Sequence, residues 1–411
     1  MTTAANSPSS PNAAAAQAAV ASSLPGSDLG TASHAASHAS TGLSGASPVT
    51  GAGATSSLAG SSHAGSASGA ANRAPDRADF DRVTEVTAGT ELTAVTAVTM
   101  RGAFAVLDQL AVIDAAGADA GSFLHTQLSN DVESLDSGVA RLAGYCSPKG
   151  RLLASMLVWR ADQTIRLLTS ADLSTGLVKR LSMFVLRAKA KLADLSATHV
   201  AIGIAGDVTG VLSRIFAVLP DTVHGVVTSE AGSLIRVPDA PAGRARFLWV
   251  TSRAQFEAHR DTLAAQLGEV PAAVWDWLDI HAGEPRITQA TYEQFVPQMI
   301  NFEVLGGVNF KKGCYPGQEI VARSQYRGTI KRRAMLVHTE AARAGEEIFD
   351  SADPGQPCGM VVNAAPAPGG GVDCLVEIKL ASLDSTSIHV GSATGPSLTF
   401  LPLPYVLPSE V

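Results

Sequence analysis

The 411-residue chain has only four cysteines, Cys146, Cys314, Cys358 and Cys374, and no two form a Cys-x-x-Cys pair. That spacing argues against a disulfide framework, a zinc ribbon or a self-contained iron–sulfur site. No bound metal is expected, and a reducing compartment is the simpler setting. No apolar run is long enough to cross a bilayer as a helix, and the N-terminal stretch lacks the basic start and hydrophobic centre of a signal peptide. A soluble cytoplasmic protein without membrane contact is therefore expected. Charge and aromatics are scarcest over residues 1–72, where Asp28 is the sole charged side chain and no Phe, Tyr or Trp occurs. An Ala/Ser/Gly/Thr/Pro segment of this kind buries too little apolar area to offset its ordering entropy. Residues 1–80 are expected to form a disordered low-complexity tail, and its His34, His38 and His63 are too dispersed to suggest a metal site.

The folding unit is thus expected from about Phe80 onward. A helix is predicted from Asp119 to about Leu128, where Phe123, Leu124 and Leu128 share a face. Strands are predicted at Leu142–Tyr145 and Leu152–Trp159, flanking the turn Ser147-Pro148-Lys149-Gly150. Further on come a helix at Leu173–Leu186, a strand at Thr198–Ala205 and a helix at Asp207–Val218 starting on an Asp cap. A strand-rich stretch at Gly225–Val250 precedes a helix at Arg253–Leu267. Strands and helices alternate without the regular spacing of a doubly wound sheet, which favours α+β. After Lys331-Arg332-Arg333 come short strands separated by Gly- and Pro-rich turns, and these predict a small C-terminal β-barrel or sandwich domain over residues 334–411, following a mixed region over 81–333.

Residue types depart furthest from generic packing between Trp275 and Arg333. In Phe310-Lys311-Lys312-Gly313-Cys314-Tyr315-Pro316-Gly317-Gln318-Glu319 one cysteine lies between two glycines and beside two lysines. Glycines permit close backbone approach, neighbouring cations favour a thiolate, and Pro316 restricts Tyr315. Cys314 is read either as a reactive or ligand-contacting thiol or as an inert one in an ordinary turn. Lys311, Lys312, Arg323, Arg327, Lys331, Arg332 and Arg333 crowd a chain of formal net charge -7 and are opposed there only by Glu319. Such a segment suits a carboxylate-bearing ligand or a phosphate backbone; a solvated face near a domain junction is the alternative. Trp275 and Trp277, two apart on a helix, cannot share a face, so one is expected in the core and the other against solvent or a flat ligand.

The run Lys312-Gly313-Cys314-Tyr315-Pro316-Gly317-Gln318-Glu319, with Ala322-Arg323 and Tyr326-Arg327-Gly328, resembles the signature of the folate-binding proteins related to the glycine-cleavage aminomethyltransferase, and within them the YgfZ-like branch. Phe123-Leu124, Gln127 to Val132, Cys146 to Arg151, Ala282-Gly283, Pro285, Ile287 and Phe295-Val296-Pro297-Gln298 match the same branch. The resemblance implies an aminomethyltransferase-like region around a central folate channel, with a C-terminal β-barrel. It implies tetrahydrofolate or a one-carbon derivative as ligand. Trp275 matches a tryptophan of the folate site, and Cys314 matches the signature cysteine, with no mechanism assigned to it. Lys312, Tyr315, Gln318, Glu319, Arg323 and Arg327 are carried over as ligand-site candidates from the same signature.

The departures bear on activity. The true aminomethyltransferases carry a catalytic acid in the strand after the glycine-rich turn, whereas Arg151-Leu152-Leu153-Ala154-Ser155 offers no carboxylate, and their Gly-Tyr-Thr-Gly-Glu motif is absent from Gly225–Val250. Proton transfer would lack its usual group, so a standard glycine-cleavage enzyme is not expected. The leading expectation is a folate-binding accessory protein that supports iron–sulfur cluster assembly, repair or maintenance. Its partners would be iron–sulfur client enzymes such as radical tRNA-modifying enzymes, with an indirect effect on tRNA modification. The alternatives are a folate-dependent one-carbon transferase or demethylase, direct tRNA binding through residues 311–333, and a folate-free adaptor.

Overall fold

The structure, a computed structural model, describes residues 101–385 and 387–408. The tail expected at residues 1–80, and the start of folding expected near Phe80, lie outside the described residues. Three sheets carry the architecture. In chain order the first elements are β1 (Ala103–Val106), β2 (Leu110–Ala116), α1 (Ala120–Gln127), β3 (Ala140–Cys146), β4 (Leu152–Ala161), β5 (Thr164–Ser170), α2 (Ala171–Ser182) and β6 (Lys191–Asp194). Of these strands all but β1 form a five-stranded antiparallel sheet in the order β3-β4-β5-β2-β6. Nearly every residue of β4 is buried, as expected for an inner strand covered on both faces.

The second sheet takes β7 (His199–Ala205), β8 (Val226–Ser229), β9 (Gly232–Ala240), β10 (Arg244–Ser252) and the two-residue β11 (Gly268–Glu269). Its order is β11-β1-β7-β10-β9-β8, antiparallel except for the β1–β11 pair. Alternation along β7 decides what each face receives. Val200, Ile202 and Ile204 point to one core, where Phe256 and Leu263 of the helix Arg253–Ala264 pack with Phe104 and Trp249. Ala201, Gly203 and Ala205 point the other way, leaving a shallow floor. Over that floor lies the helix Ala272–His281, here α5, since the four-residue α3 (Thr209–Leu212) and α4 (Arg253–Ala264) precede it.

The third sheet is antiparallel and contains β12 (Arg332–Thr339), β13 (Glu347–Asp350), β14 (Asp353–Pro366), β15 (Val372–Lys379), β16 (Ile388–Val390) and β17 (Thr399–Leu401), in the order β16-β13-β14-β15-β12-β17. The expected C-terminal β-barrel is seen as a curled sheet, a half-barrel, rather than as a closed barrel among the described residues. Its outer strands are three residues each, and among the described residues β16 pairs with β13 and β17 with β12 rather than with one another. Irregularities at Ile348/Phe349 and Val361/Asn363 bend the sheet without closing it.

Three further expectations change. The helix expected over Asp207–Val218 shrinks to Thr209–Leu212, with Val208 and not Asp207 at its start. The chain then tightens into turns, Arg214 N–H to Val211 O and Ile215 N–H to Leu212 O, which bring Phe216 into the core under Trp249. The helix expected to reach Leu186 ends at Ser182; the chain then tightens into i→i−3 turns, Phe184 N–H to Leu181 O and Val185 N–H to Ser182 O, before Leu186 takes a left-handed backbone (φ 44°). Both tryptophans of α5 are buried, Trp275 at 3 % exposure and Trp277 at 9 %. Opposite sides of a helix can both be interior when the helix is clasped from two directions. Here Trp275 lies on β7 while the Trp277 indole N–H donates to Asp373 Oδ2 of β15 at 2.7 Å.

No helix among the described residues is long and apolar enough to cross a membrane. All four cysteines are free thiols, with Cys146, Cys358 and Cys374 buried and Cys314 exposed.

Candidate functional site

The signature segment folds into a loop held at two points. Asn309 Oδ1 accepts from the backbone N–H groups of Lys311 (2.9 Å) and Lys312 (3.1 Å), which turns the Lys312 side chain inward. Its ammonium donates to the carbonyls of His125 and Leu128, the latter at 2.7 Å, at the C-terminal end of α1 where carbonyls lack helical partners. The Tyr315 ring lies 5.0 Å from Lys312 Nζ, and burial pulls the Lys312 amine down to about 8. At the second point, Gly317 has φ 79° and sits so close to the Ser147–Gly150 turn that a Cβ there would lie 2.3 Å from Ser147 O. Gly150, at φ 72°, is pressed in return by Ile320. The two glycine-bearing motifs therefore meet in space, and α6 (Gln318–Tyr326) starts from the contact. Gln318 Oε1 accepts from Tyr315 N–H at 3.3 Å, and Gln298, from the upstream Phe295–Gln298 motif, donates to Val321 O at 2.9 Å. Cys314 stands exposed between the two points of attachment.

The basic segment divides by use. Lys312 is spent on α1, Arg332 is bound to both carboxylate oxygens of Glu377 at 2.8 Å, and Arg333 pairs with Glu303. Glu319, Arg323 and Arg327 are exposed. Arg327 and Tyr326 line a surface recess of about 730 Å³ that reaches Arg333 and Leu407.

Trp275 is elsewhere, in a central cavity between the first two sheets. Leu110, Met156, Leu168, Leu248 and Phe302 give this cavity apolar walls, and His224, Glu284 and Arg286 give it polar ones. None of the other predicted site residues lines it. The indole of Trp275 lies flat on β7 because position 203 is glycine; a Cβ there would be 2.2 Å from the ring. The guanidinium of Arg246, fully buried, is 4.3 Å from the ring centroid, a cation–π contact. Arg246 also donates to Leu278 O at 3.1 Å and to Asp279. Arg286 binds Asp276 at 2.6 Å and approaches Asp279 at 3.5 Å. A flat aromatic surface beside fixed charges suits a planar polar heterocycle. The space is about 90 Å³, less than the ~150 Å³ that holds benzene, so a bicyclic ring needs more room than this conformation gives.

Sequence reasoning passed over Glu284 and Arg286. Their signal was available: opposite charges flank Pro285 just after the end of α5, with Glu284 between a glycine (φ 69°) and the proline. The acid absent from residues 151–155 is not replaced there; Ser155 uses its hydroxyl to accept from Ile287 N–H at 2.9 Å. Carboxylates reach the cavity instead from the end of α5 and the turn after it.

No protein-family model matches the chain. The aminomethyltransferase T of the Bartonella henselae glycine cleavage system superposes with a TM-score of 0.63 over 77 % of this chain and 89 % of that one, at 17 % identity, which establishes the fold. The tRNA-modifying protein YgfZ of Photorhabdus laumondii is 32 % identical over 310 residues, covering 74 % of this chain and 92 % of the relative. That of Klebsiella pneumoniae is also 32 % identical over 310 residues, covering 73 % and 92 %. With that identity carried across nearly the whole length of these relatives, on an aminomethyltransferase fold, the chain belongs to the YgfZ family.

Proposed function

We propose that this chain is a folate-binding accessory protein that supports iron–sulfur cluster assembly, repair or maintenance and thereby, indirectly, tRNA modification. The observation that carries the reading is the likeness to proteins named as tRNA-modifying over 92 % of their length. The central cavity supports it: Trp275 on its glycine seat offers the flat wall, and Arg286 with Glu284 offers polar groups for a pterin ring. Tetrahydrofolate would supply a one-carbon carrier. The chain's own part is to hold the ring against Trp275 and to exclude water with Leu110, Met156 and Phe302.

The test is anaerobic calorimetric titration of tetrahydrofolate into the full chain, with Trp275→Ala alongside. One-site binding that weakens at least tenfold in the variant supports the reading. Absence of binding by folded wild-type protein removes it and favours a folate-free adaptor. In cells lacking the gene, the wild-type chain should restore methylthiolation of tRNA. If Cys314→Ala restores it equally, the exposed thiol has no chemical part.

A further inference from the structure

The chain uses only part of its basic segment for its own folding. Lys312 is held by carbonyls, and Arg332 and Arg333 by Glu377 and Glu303. Lys311, Arg323, Arg327 and Lys331 are exposed, and none of them forms an ion pair among the described residues. The one carboxylate of the segment, Glu319, stands at the opposite, N-terminal end of α6. Arg327 caps the C-terminal end, its N–H bonded to Arg323 O at 3.0 Å. The chain then bends through Gly328, Thr329 and Ile330 to Lys331, whose carbonyl accepts from Leu380 N–H at 2.9 Å. This bend frames the surface recess of about 730 Å³, within the ~300–1,000 Å³ of ordinary ligand clefts. No carboxylate lines it among the described residues, so the free cations around it go uncompensated in a chain whose formal net charge is -7.

An aromatic ring stands at the same recess. Tyr326 is 70 % exposed, yet it is held: Phe310 meets it edge to face, with centroids 5.7 Å apart and planes at 71°. A ring fixed by one neighbour, otherwise open and set among free cations, is the combination that receives unpaired nucleotides, where a base stacks on the ring and Arg and Lys take the phosphates. An acidic polypeptide would satisfy the cations and leave the ring without a use. We propose that the recess at the end of α6 binds an unpaired stretch of RNA, with one base on Tyr326 and the flanking phosphates on Arg323, Arg327 and Lys331. This goes beyond the function proposed above, in which the effect on tRNA is indirect, and takes only the choice of RNA as the polynucleotide from it. The binding needs no folate, so the two proposals fail separately.

The experiment is fluorescence anisotropy of a labelled, unmodified tRNA transcript titrated with the full wild-type chain at several salt concentrations and without folate, with a fully paired RNA duplex and a poly-glutamate peptide as competitors. Wild type should bind the transcript, and the logarithm of its affinity should fall against the logarithm of salt with a slope of about -2, since each of three single-strand phosphates contributes about -0.7. Tyr326→Ala should weaken binding at least about fivefold, the lower end of what one stacked base is worth, and leave the slope unchanged. Arg327→Gln should weaken binding and flatten the slope by about 0.7. Duplex and poly-glutamate should both compete poorly. Tyr326→Ala should bind tetrahydrofolate as wild type does, which shows that the variant is folded. Absence of RNA binding by folded wild type at low salt overturns the proposal, and so does full RNA affinity in Tyr326→Ala. Competition by the duplex as strong as by the transcript overturns the assignment to an unpaired strand, and equal competition by poly-glutamate overturns RNA in favour of an acidic protein partner.

Discussion

Asp373 ties α5 to the third sheet, and its removal should loosen the wall that carries Trp275. The carboxylate on β15 accepts from Trp277 Nε1 and faces His281 Nε2 and His338 Nδ1, each at 2.7 Å, while its own side chain is almost fully buried. Burial works against the charged form, and the hydrogen bonds from His281, His338 and Trp277 overcome it, holding the carboxyl below its ordinary range. In Asp373→Ala the histidines, both partly exposed, recover water. The Trp277 N–H is interior and does not. Losing bonds to a charged acceptor costs about 1.5–3 kcal/mol each, and an orphaned buried donor adds about 1–3, offset by no longer burying a carboxylate. A net loss of about 3 kcal/mol is expected, or roughly 4–5 °C in Tm for a folded region of about 300 residues. Because the native pKa is depressed, the contribution is complete above the unfolded value near 4 and fades as pH falls through the native one. Thermal unfolding followed by tryptophan fluorescence should therefore show the full gap between wild type and Asp373→Ala at pH 7 and a smaller one below about pH 3.5. A variant melting within 2 °C of wild type at pH 7, or a gap that stays constant into acid, would refute the argument. The same variant should also bind tetrahydrofolate less tightly, since α5 carries Trp275.

Other substitutions test the packing at the two sites. Gly203→Ala places a Cβ 2.2 Å from the Trp275 ring and should lift the indole from β7; at least a tenfold loss of tetrahydrofolate affinity is expected by calorimetry, and unchanged affinity would show that the seat is irrelevant to binding. Gly317→Ala meets both a left-handed backbone and Ser147 O, and should cost about 2–4 kcal/mol in chemical denaturation; a cost under 1 kcal/mol would mean the loop does not press on the turn. Lys312→Met strands the carbonyls of His125 and Leu128, with about 2 kcal/mol lost and faster hydrogen exchange at the end of α1. Exchange rates equal to wild type would count against the inward lysine.

Local structure was legible wherever pattern and neighbour agree. The helix after Asp119, the strands flanking Ser147–Gly150 and the short strands beyond Lys331 follow from periodicity and turn residues, and the α+β class follows from their order. What escaped depends on distant partners. Half-barrel and barrel have the same strand content, and what distinguishes them is that, among the described residues, β16 and β17 do not pair. The reading of Trp275 and Trp277 assumed a helix with a solvent side, whereas α5 is covered by β7 on one side and β15 on the other. For the site, the signature foretold which residues are unusual but not that Trp275 and Cys314 sit in different places, because sequence proximity says nothing about which cavity a side chain lines. Glu284 went unread because a charge beside Gly and Pro looks like an ordinary turn until the cavity behind it is seen.

The contact between Gly317 and the Ser147–Gly150 turn, together with the Lys312 anchor on α1, makes the cysteine loop an arch standing on two feet. Its crest carries Cys314, and neither foot rests on the thiol itself. The thiol's position is thus set from outside the loop, by α1 and by the turn after β3. A shift of either support would tilt the crest, moving an exposed sulfur that the support does not touch. A spin label or fluorophore on Cys314 is, by this construction, a pointer that reads the end of α1 and the turn after β3.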